Sequence, residues 1–138
     1  MERFIRQQGG VIVDNQTGLE WFVGPDRNTT WSEARSWALK QRVDGGNWRL
    51  PTIKELETLY IKGSGKGNLP EEFTKAEWYV WSSEPNDLHT AWAYFFPLGG
   101  EEWSTRAASH NFRAFAVRSK QDVAEAKKSS KEKKKAKK

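Results

Sequence analysis

The chain has 138 residues and a mass of 15.9 kDa, with 8 Trp, 7 Phe, 3 Tyr and no Cys. That is one domain's worth of protein, far too aromatic for a disordered chain, and its formal charge of +5 sits almost entirely in the last nineteen residues. The composition excludes disulfides, thiolate zinc sites and cysteine nucleophiles, and no apolar run approaches the roughly 18 residues of a membrane-spanning helix.

Met1 to Gln8 lacks the apolar stretch of a secretory signal. As written, the chain is therefore expected to be cytoplasmic, or surface-exposed or secreted if it is a fragment of a longer one. Val11-Ile12-Val13, the turn residues Asp14 to Gly18, and Leu19 to Phe22 predict a β-hairpin. Thr30-Trp31-Ser32-Glu33 is a capping box, in which a Thr hydroxyl and a Glu carboxylate each satisfy an orphan amide of the first helical turn. Ala34, Trp37, Ala38 and Gln41 then recur at helical spacing. A second box, Thr52-Ile53-Lys54-Glu55, follows Pro51 and precedes the stripe Ile53, Leu56, Leu59 and Tyr60.

Gly63 to Pro70 predicts an exposed connector. Its Gly63-Ser64-Gly65-Lys66-Gly67 lacks the spacing of a phosphate loop and follows a helix instead of opening one. Trp78 to Ser83, Ala91 to Phe96 and Glu101 to Thr105 predict strands. Phe112 to Arg118 predicts the last, alternating Ala114 and Ala116 with Phe115 and Val117, so that small and large side chains face opposite ways. Two helices set apart from a meander of strands predict an α+β fold.

From Lys120 on there are nine lysines against Asp122, Glu125 and Glu132, while residues 1–119 carry fourteen Lys and Arg against fifteen Asp and Glu. The body is thus nearly neutral, which argues against a basic nucleic-acid-binding fold. Residues 120–138 are expected to form a disordered tail, solvated or gripping a polyanion through counterion release.

Several strings together resemble the Lcl C-terminal domain family, named after a bacterial collagen-like adhesin. Asp14-Asn15-Gln16-Thr17-Gly18-Leu19-Glu20-Trp21 resembles its opening "DNxTGLxW". Trp31 to Ala34 resembles its first helix, and Trp48-Arg49-Leu50-Pro51-Thr52 to Leu56 its "WRLPTxxEL" signature. Trp81-Ser82-Ser83, Ala91-Trp92 and Arg113 to Arg118 resemble its later strands. The resemblance covers residues 10–119 and implies a C-type-lectin-like fold, with two helices packed on a small antiparallel sheet. It implies that Asp14, Trp21, Trp48, Arg49, Pro51, Trp81, Trp92 and Arg118 are structural. Trp48, Trp81 and Trp92 are expected in the core, and Arg49 is expected to bond loop carbonyls with its stem on Trp48.

Glu84-Pro85-Asn86 matches the tripeptide with which calcium-dependent lectins hold metal and sugar together, and Asp87 adds an oxygen. Calcium needs six to eight oxygens, and the partner strand Ala91-Trp92-Ala93-Tyr94 supplies no carboxylate. The tripeptide is read as a turn, with no metal or cofactor expected and calcium as the alternative. His89 and His110 are the only histidines and no Gly-x-Ser-x-Gly elbow exists, so no enzyme is expected.

Glu84, Asn86, Asp87, His89, Glu101, Trp103, Ser104, Arg106, His110 and Asn111 combine one aromatic with hydrogen-bonding groups, a mixture suited to sugar or polar-peptide recognition. The expected function is a non-catalytic module that binds a glycan or a protein surface through the loops before the last strand. The family's namesake binds sulfated polysaccharides, and any preference for sulfated glycans here would depend on the lysine tail. The alternative is an intracellular scaffold domain tethered to nucleic acid or an anionic surface by that tail.

Overall fold

The computed structural model describes residues 2–64, 66–76, 78–120 and 122–124. It is an α+β domain with two four-stranded sheets, where one small sheet was expected. The first sheet runs β1 (Phe4–Arg6), β2 (Ile12–Asp14), β3 (Glu20–Val23), β8 (Phe115–Arg118), all antiparallel. The second runs β6 (Gly100–Thr105), β5 (Thr90–Phe95), β4 (Tyr79–Pro85), β7 (Phe112–Arg113), with β7 parallel to β4. The helices are α1 (Trp31–Lys40) and α2 (Ile53–Glu57).

The strand expected over 112–118 is broken at Ala114, where the chain leaves one sheet for the other. The Ala114 carbonyl accepts the Gly24 amide at 3.0 Å. A Cβ at Gly24 would lie 2.5 Å from that oxygen, so only glycine allows the approach. The small-and-large alternation survives the break. Phe115 and Val117 enter one apolar cluster, with Trp21, Phe73, Leu56 and Tyr94, while Ala114 and Ala116 enter the other, with Trp48, Trp81 and Ala38. The last strand is therefore buried on both faces, and the two cores share it as a wall.

Both capping boxes form as the sequence indicates. Thr30 and Glu33 exchange bonds of 3.0 and 3.3 Å, and Thr52 and Glu55 bonds of 2.9 and 3.1 Å; each cap contributes about 1 kcal/mol. Helix α2 is shorter than its apolar stripe. Thr58 donates its hydroxyl to the Glu55 carbonyl at 2.6 Å, and a 3-10 bond from Leu59 to Leu56 carries the chain on. Leu59 is buried all the same. The connector before Pro70 is not simply exposed, since Leu69 is fully buried and Asn68 donates to the Phe96 and Pro97 carbonyls. Strand β1 and the 3-10 segment Glu71–Ala76, which carries the buried Phe73, had no sequence signal assigned.

Trp21 is fully buried, and its indole N–H has no hydrogen-bond partner among the described residues. The rings of Phe73 and Phe115 stand nearly perpendicular to it at 5.9 and 6.1 Å. Burying a donor without a partner is costly. Trp21→Phe removes that donor while keeping an aromatic ring, and is expected to cost under about 1.5 kcal/mol in urea unfolding, well below the 3–5 kcal/mol of a large-to-alanine core change.

The motif residues form three charged joints. Buried Asp14 accepts a two-pronged bond from Arg3 at 2.9 Å, the Thr17 hydroxyl at 2.8 Å and the Gln16 amide at 2.9 Å, which locks the β2–β3 turn. Arg49 differs from expectation. Its main partners are carboxylates, Glu55 at 2.7 and 2.9 Å and Asp122 at 3.3 Å, with only one carbonyl, that of Leu50. The cation on Trp48 is Arg118, 4.4 Å from the ring centroid. Trp48 and Trp81 are core residues as expected and Trp92 is only half-buried, while Pro51 is buried and its carbonyl takes the Ser83 amide. Ser119 caps a helical turn that begins at Lys120, and Asp122 of that turn reaches Arg49. The first residues of the expected tail are therefore tied to α2's cap. From Glu125 on, the tail lies outside the described residues.

Candidate functional site

Eight of the ten candidate ligand residues fall into two groups, while His110 and Asn111 lie apart, just before β7. The first surrounds the β4–β5 turn. Glu84 and Pro85 belong to β4, so the turn begins at Asn86, later than the sequence suggested. The strand carries a bulge between Trp81 and Pro85, and no described peptide bond is cis. Glu84 Oε2 accepts the Ile53 amide at 3.0 Å, at the N-terminus of α2. Asn86 donates to the Thr90 hydroxyl at 3.0 Å. Asp87 Oδ1 accepts the His89 and Thr90 amides at 2.8 Å each, and these bonds hold its carboxyl below the ordinary range.

Arg106 closes this turn. Its Nε donates to the Thr90 carbonyl at 3.2 Å, its Nη2 donates to the Asp87 carbonyl, and its amide donates to the His89 carbonyl at 2.8 Å. The guanidinium lies 4.5 Å above the Trp31 ring, and Trp31 in turn donates to the Ser82 carbonyl. These side chains are thus committed to shaping the turn. Asn111 has a positive φ of 66°, and its amide donates to Asn28 Oδ1 while its carbonyl accepts the Tyr79 amide. His110 is exposed beside it. Among the described residues no three His, Asp or Glu side chains converge as a metal site; of the lectin-like tripeptide, Glu84 Oε2 is bonded to the Ile53 amide and Asn86 is engaged through its side-chain amide N–H.

The second group lies on β6, an edge strand. Side chains alternate across a strand, so Glu101 and Trp103 share a face while Glu102 and Ser104 share the other. The register sets Trp103 opposite Trp92 and Glu101 opposite Tyr94. Trp103 is 58% exposed, more than Trp78, the other exposed tryptophan among the described residues, at 44%. With Trp92, Glu101 and Glu102 it lines an open depression of about 530 Å³. A second depression, about 290 Å³, continues from Glu101 across Tyr94, Gly99 and Gly100 to Ile53 and Glu57 of α2. The two share Glu101 and lie side by side along the β6 side of the sheet, and together they are called the groove below. At its end Gly99 has a φ of 72° and lies directly against the Tyr60 ring.

No Lys or Arg is among the described lining residues of this groove. Its carboxylates are Glu57 and Glu101, with Glu84 beside Ile53. The Glu102 carboxylate instead meets the Tyr79 hydroxyl, whose pKa is raised by burial and by that acidic neighbour. The groove offers an aromatic face and hydrogen-bond acceptors. Sequence reasoning singled out Trp103 and Glu101 but assigned Trp92 to the core and overlooked Ile53, Glu57 and Tyr94. The short turn Pro97 to Gly100, which fixes the β5–β6 register, is the signal that pairs the two tryptophans.

Fold and groove together define a cysteine-free α+β domain with an open aromatic face. Residues 10–118 match the family model of the Lcl C-terminal domain, and the chain belongs to that family. None of the curated proteins compared with it is a significant match.

Proposed function

We propose that the domain is a non-catalytic binding module and that the groove on β6 is its contact face for a glycan. The carrying observation is Trp103, more than half exposed on an edge strand next to the half-buried Trp92. Leaving a large aromatic in water forgoes burial worth about 1.5–3 kcal/mol, and a flat indole suits the apolar face of a pyranose ring. Glu101 and Glu57 would accept bonds from ring hydroxyls. Membership in an adhesin-named family supports a binding role. The pairing of β3 with β8, which joins the two ends of the domain in one sheet, supports a C-type-lectin-like reading of the fold.

The acidic lining favours an uncharged glycan over a sulfated one within the groove. Sulfated ligands would have to engage the lysine segment. A glycan array with neutral and sulfated members, with and without calcium, tests this. The expected outcome is calcium-independent capture of neutral glycans. Trp103→Ala is expected to weaken it tenfold or more in follow-up titrations, while unfolding stability moves by less than about 0.5 kcal/mol, as for an exposed residue. Unchanged binding by Trp103→Ala would remove Trp103 from the contact face.

A further inference from the structure

We propose that β6 pairs edge to edge with β6 of a second copy of this chain, joining two domains around a two-fold axis at Trp103. The inference shares Trp103 with the glycan reading and does not depend on it. Strand β6 is an edge of its sheet. The Arg106 amide bonds the His89 carbonyl, and bonded and open positions alternate along an antiparallel pair. In the register that sets Trp92 opposite Trp103, Gly100, Glu102 and Ser104 therefore bond β5, while Glu101, Trp103 and Thr105 turn their backbone groups outward. Of these groups the Thr105 carbonyl accepts the Ala108 amide, and no described strand pairs with the rest. Natural edge strands are blunted by shortness, proline, lysine or a cover. Edges β1 and β7 have three and two residues, and β8 is covered by its bridge to Arg49. Strand β6 has six residues, Gly-Glu-Glu-Trp-Ser-Thr, with neither proline nor lysine. Its Glu102 is drawn inward to the Tyr79 hydroxyl.

The side chains of β6 are complementary to a second β6. Pairing centred on Glu101 or Glu102 would set a carboxylate opposite itself, which is destabilising. Pairing centred on Ser104 would leave Glu101 facing the turn beyond Thr105. Pairing centred on Trp103 uses all three outward positions. Trp103 then faces the partner's Trp103, Glu101 faces the partner's Thr105, and Glu102 faces the partner's Ser104. Each carboxylate meets a hydroxyl side chain, and the strands exchange about four to six backbone hydrogen bonds. Directly opposite side chains share a face, so Trp92 and Trp103 of both copies form one row of indoles across about 14 Å of adjoining strands. The groove of each copy thereby runs on into that of the other. Residues 1–119 are nearly neutral, so the two bodies approach without strong repulsion. Six strand residues a side is well short of the roughly 20–30 of a standard interface, and the dimer is expected to be a transient one.

Sedimentation equilibrium of the full chain, from about 20 µM to about 1 mM, covers the range of a transient contact. The average mass is expected to climb from 15.9 kDa toward twice that value. Thr105→Lys places an ammonium opposite the partner's Glu101 and should tighten association about threefold or more, whereas Thr105→Glu opposes two carboxylates and should weaken it about as much. Trp103→Lys, with like charges meeting on the axis, should stay monomeric throughout. Backbone N–H resonances of Glu101, Trp103 and Thr105 should move with concentration while that of Trp48 stays fixed. A constant mass of one chain would overturn the proposal. So would association indifferent to the sign of the charge at position 105, or concentration-dependent shifts confined to residues away from β6. Thr105 and Trp103 are exposed, so the variants are expected to fold, and thermal melts check this. Were a variant to unfold, the concentration series on the unaltered chain would still decide. No sugar is added, so a strict monomer leaves glycan binding at Trp103 standing, and a domain that captured no glycan would still report the dimer.

Discussion

Replacing Arg118 with alanine is expected to destabilise the domain by about 3 kcal/mol, lowering Tm by on the order of 10 °C for a domain of this size. Arg118 is 4% exposed. All five of its N–H donors are used: Nε and Nη2 on Glu20 at 3.1 and 2.9 Å, Nη2 on Asp44 at 2.6 Å, and Nη1 on the Asp44 and Gly46 carbonyls at 2.7 Å each. Those carbonyls face inward because Asp44 and Gly46 take positive φ values of 46° and 79°. Removing the guanidinium leaves them without donors and uncovers the face of Trp48. The Glu20 and Asp44 carboxylates are partly exposed and can rehydrate, which keeps the loss below that of a fully buried ion pair. Arg118→Lys retains the charge but not the fork, and should recover less than half of the loss. Thermal melts followed by tryptophan fluorescence would check both, and a loss under about 1 kcal/mol for Arg118→Ala would contradict the account.

Acid is expected to unfold the domain from the Asp14, Glu55 and Asp122 side. Burial alone would raise each of these carboxyls, but stronger opposing bonds hold all three below their ordinary values of 3.8, 4.5 and 3.8. For Asp14 they come from Arg3, Thr17 and the Gln16 amide, for Glu55 from Arg49 and the Thr52 amide, and for Asp122 from Ser119 and Arg49. A carboxyl with a lowered folded pKa is protonated first in the unfolded chain. Its contribution is complete above the unfolded value and disappears as pH falls through the folded one. These groups should therefore leave Tm unaffected down to about pH 5 and lower it steadily below about pH 4.5. Asp14→Asn keeps the shape of the turn but loses the Arg3 ion pair. It should cost about 1–3 kcal/mol at neutral pH and flatten the acid slope. A slope unchanged in Asp14→Asn would mean that Asp14 does not carry the effect.

The groove was half legible before the structure was known. Trp103 and Glu101 stood out because an exposed-looking indole beside acids on a short strand is an unusual mixture. Arg106, Asp87 and Asn86 stood out for similar polarity, yet the folded chain uses them on one another and on Trp31. Polar residue type indicates that a hydrogen bond is made, not whether its partner is a ligand or a neighbouring carbonyl. Trp92 was placed in the core because aromatic content says nothing about which side of a sheet is covered.

By itself, the sequence determined where both helices begin, where the chain turns, and how the last strand sorts large from small side chains. Each of those depends on atoms within a few residues, as in a Thr bonding the amide three positions on or a side chain pointing opposite to its neighbour's. Only the tertiary structure decided that there are two sheets, that the last strand serves both, and that Arg118 and not Arg49 covers Trp48. Those choices rest on meetings such as Arg118 with Glu20, 98 positions apart, and on Gly24 admitting the Ala114 carbonyl. They depend on which surfaces close upon each other in space, which local spacing does not encode.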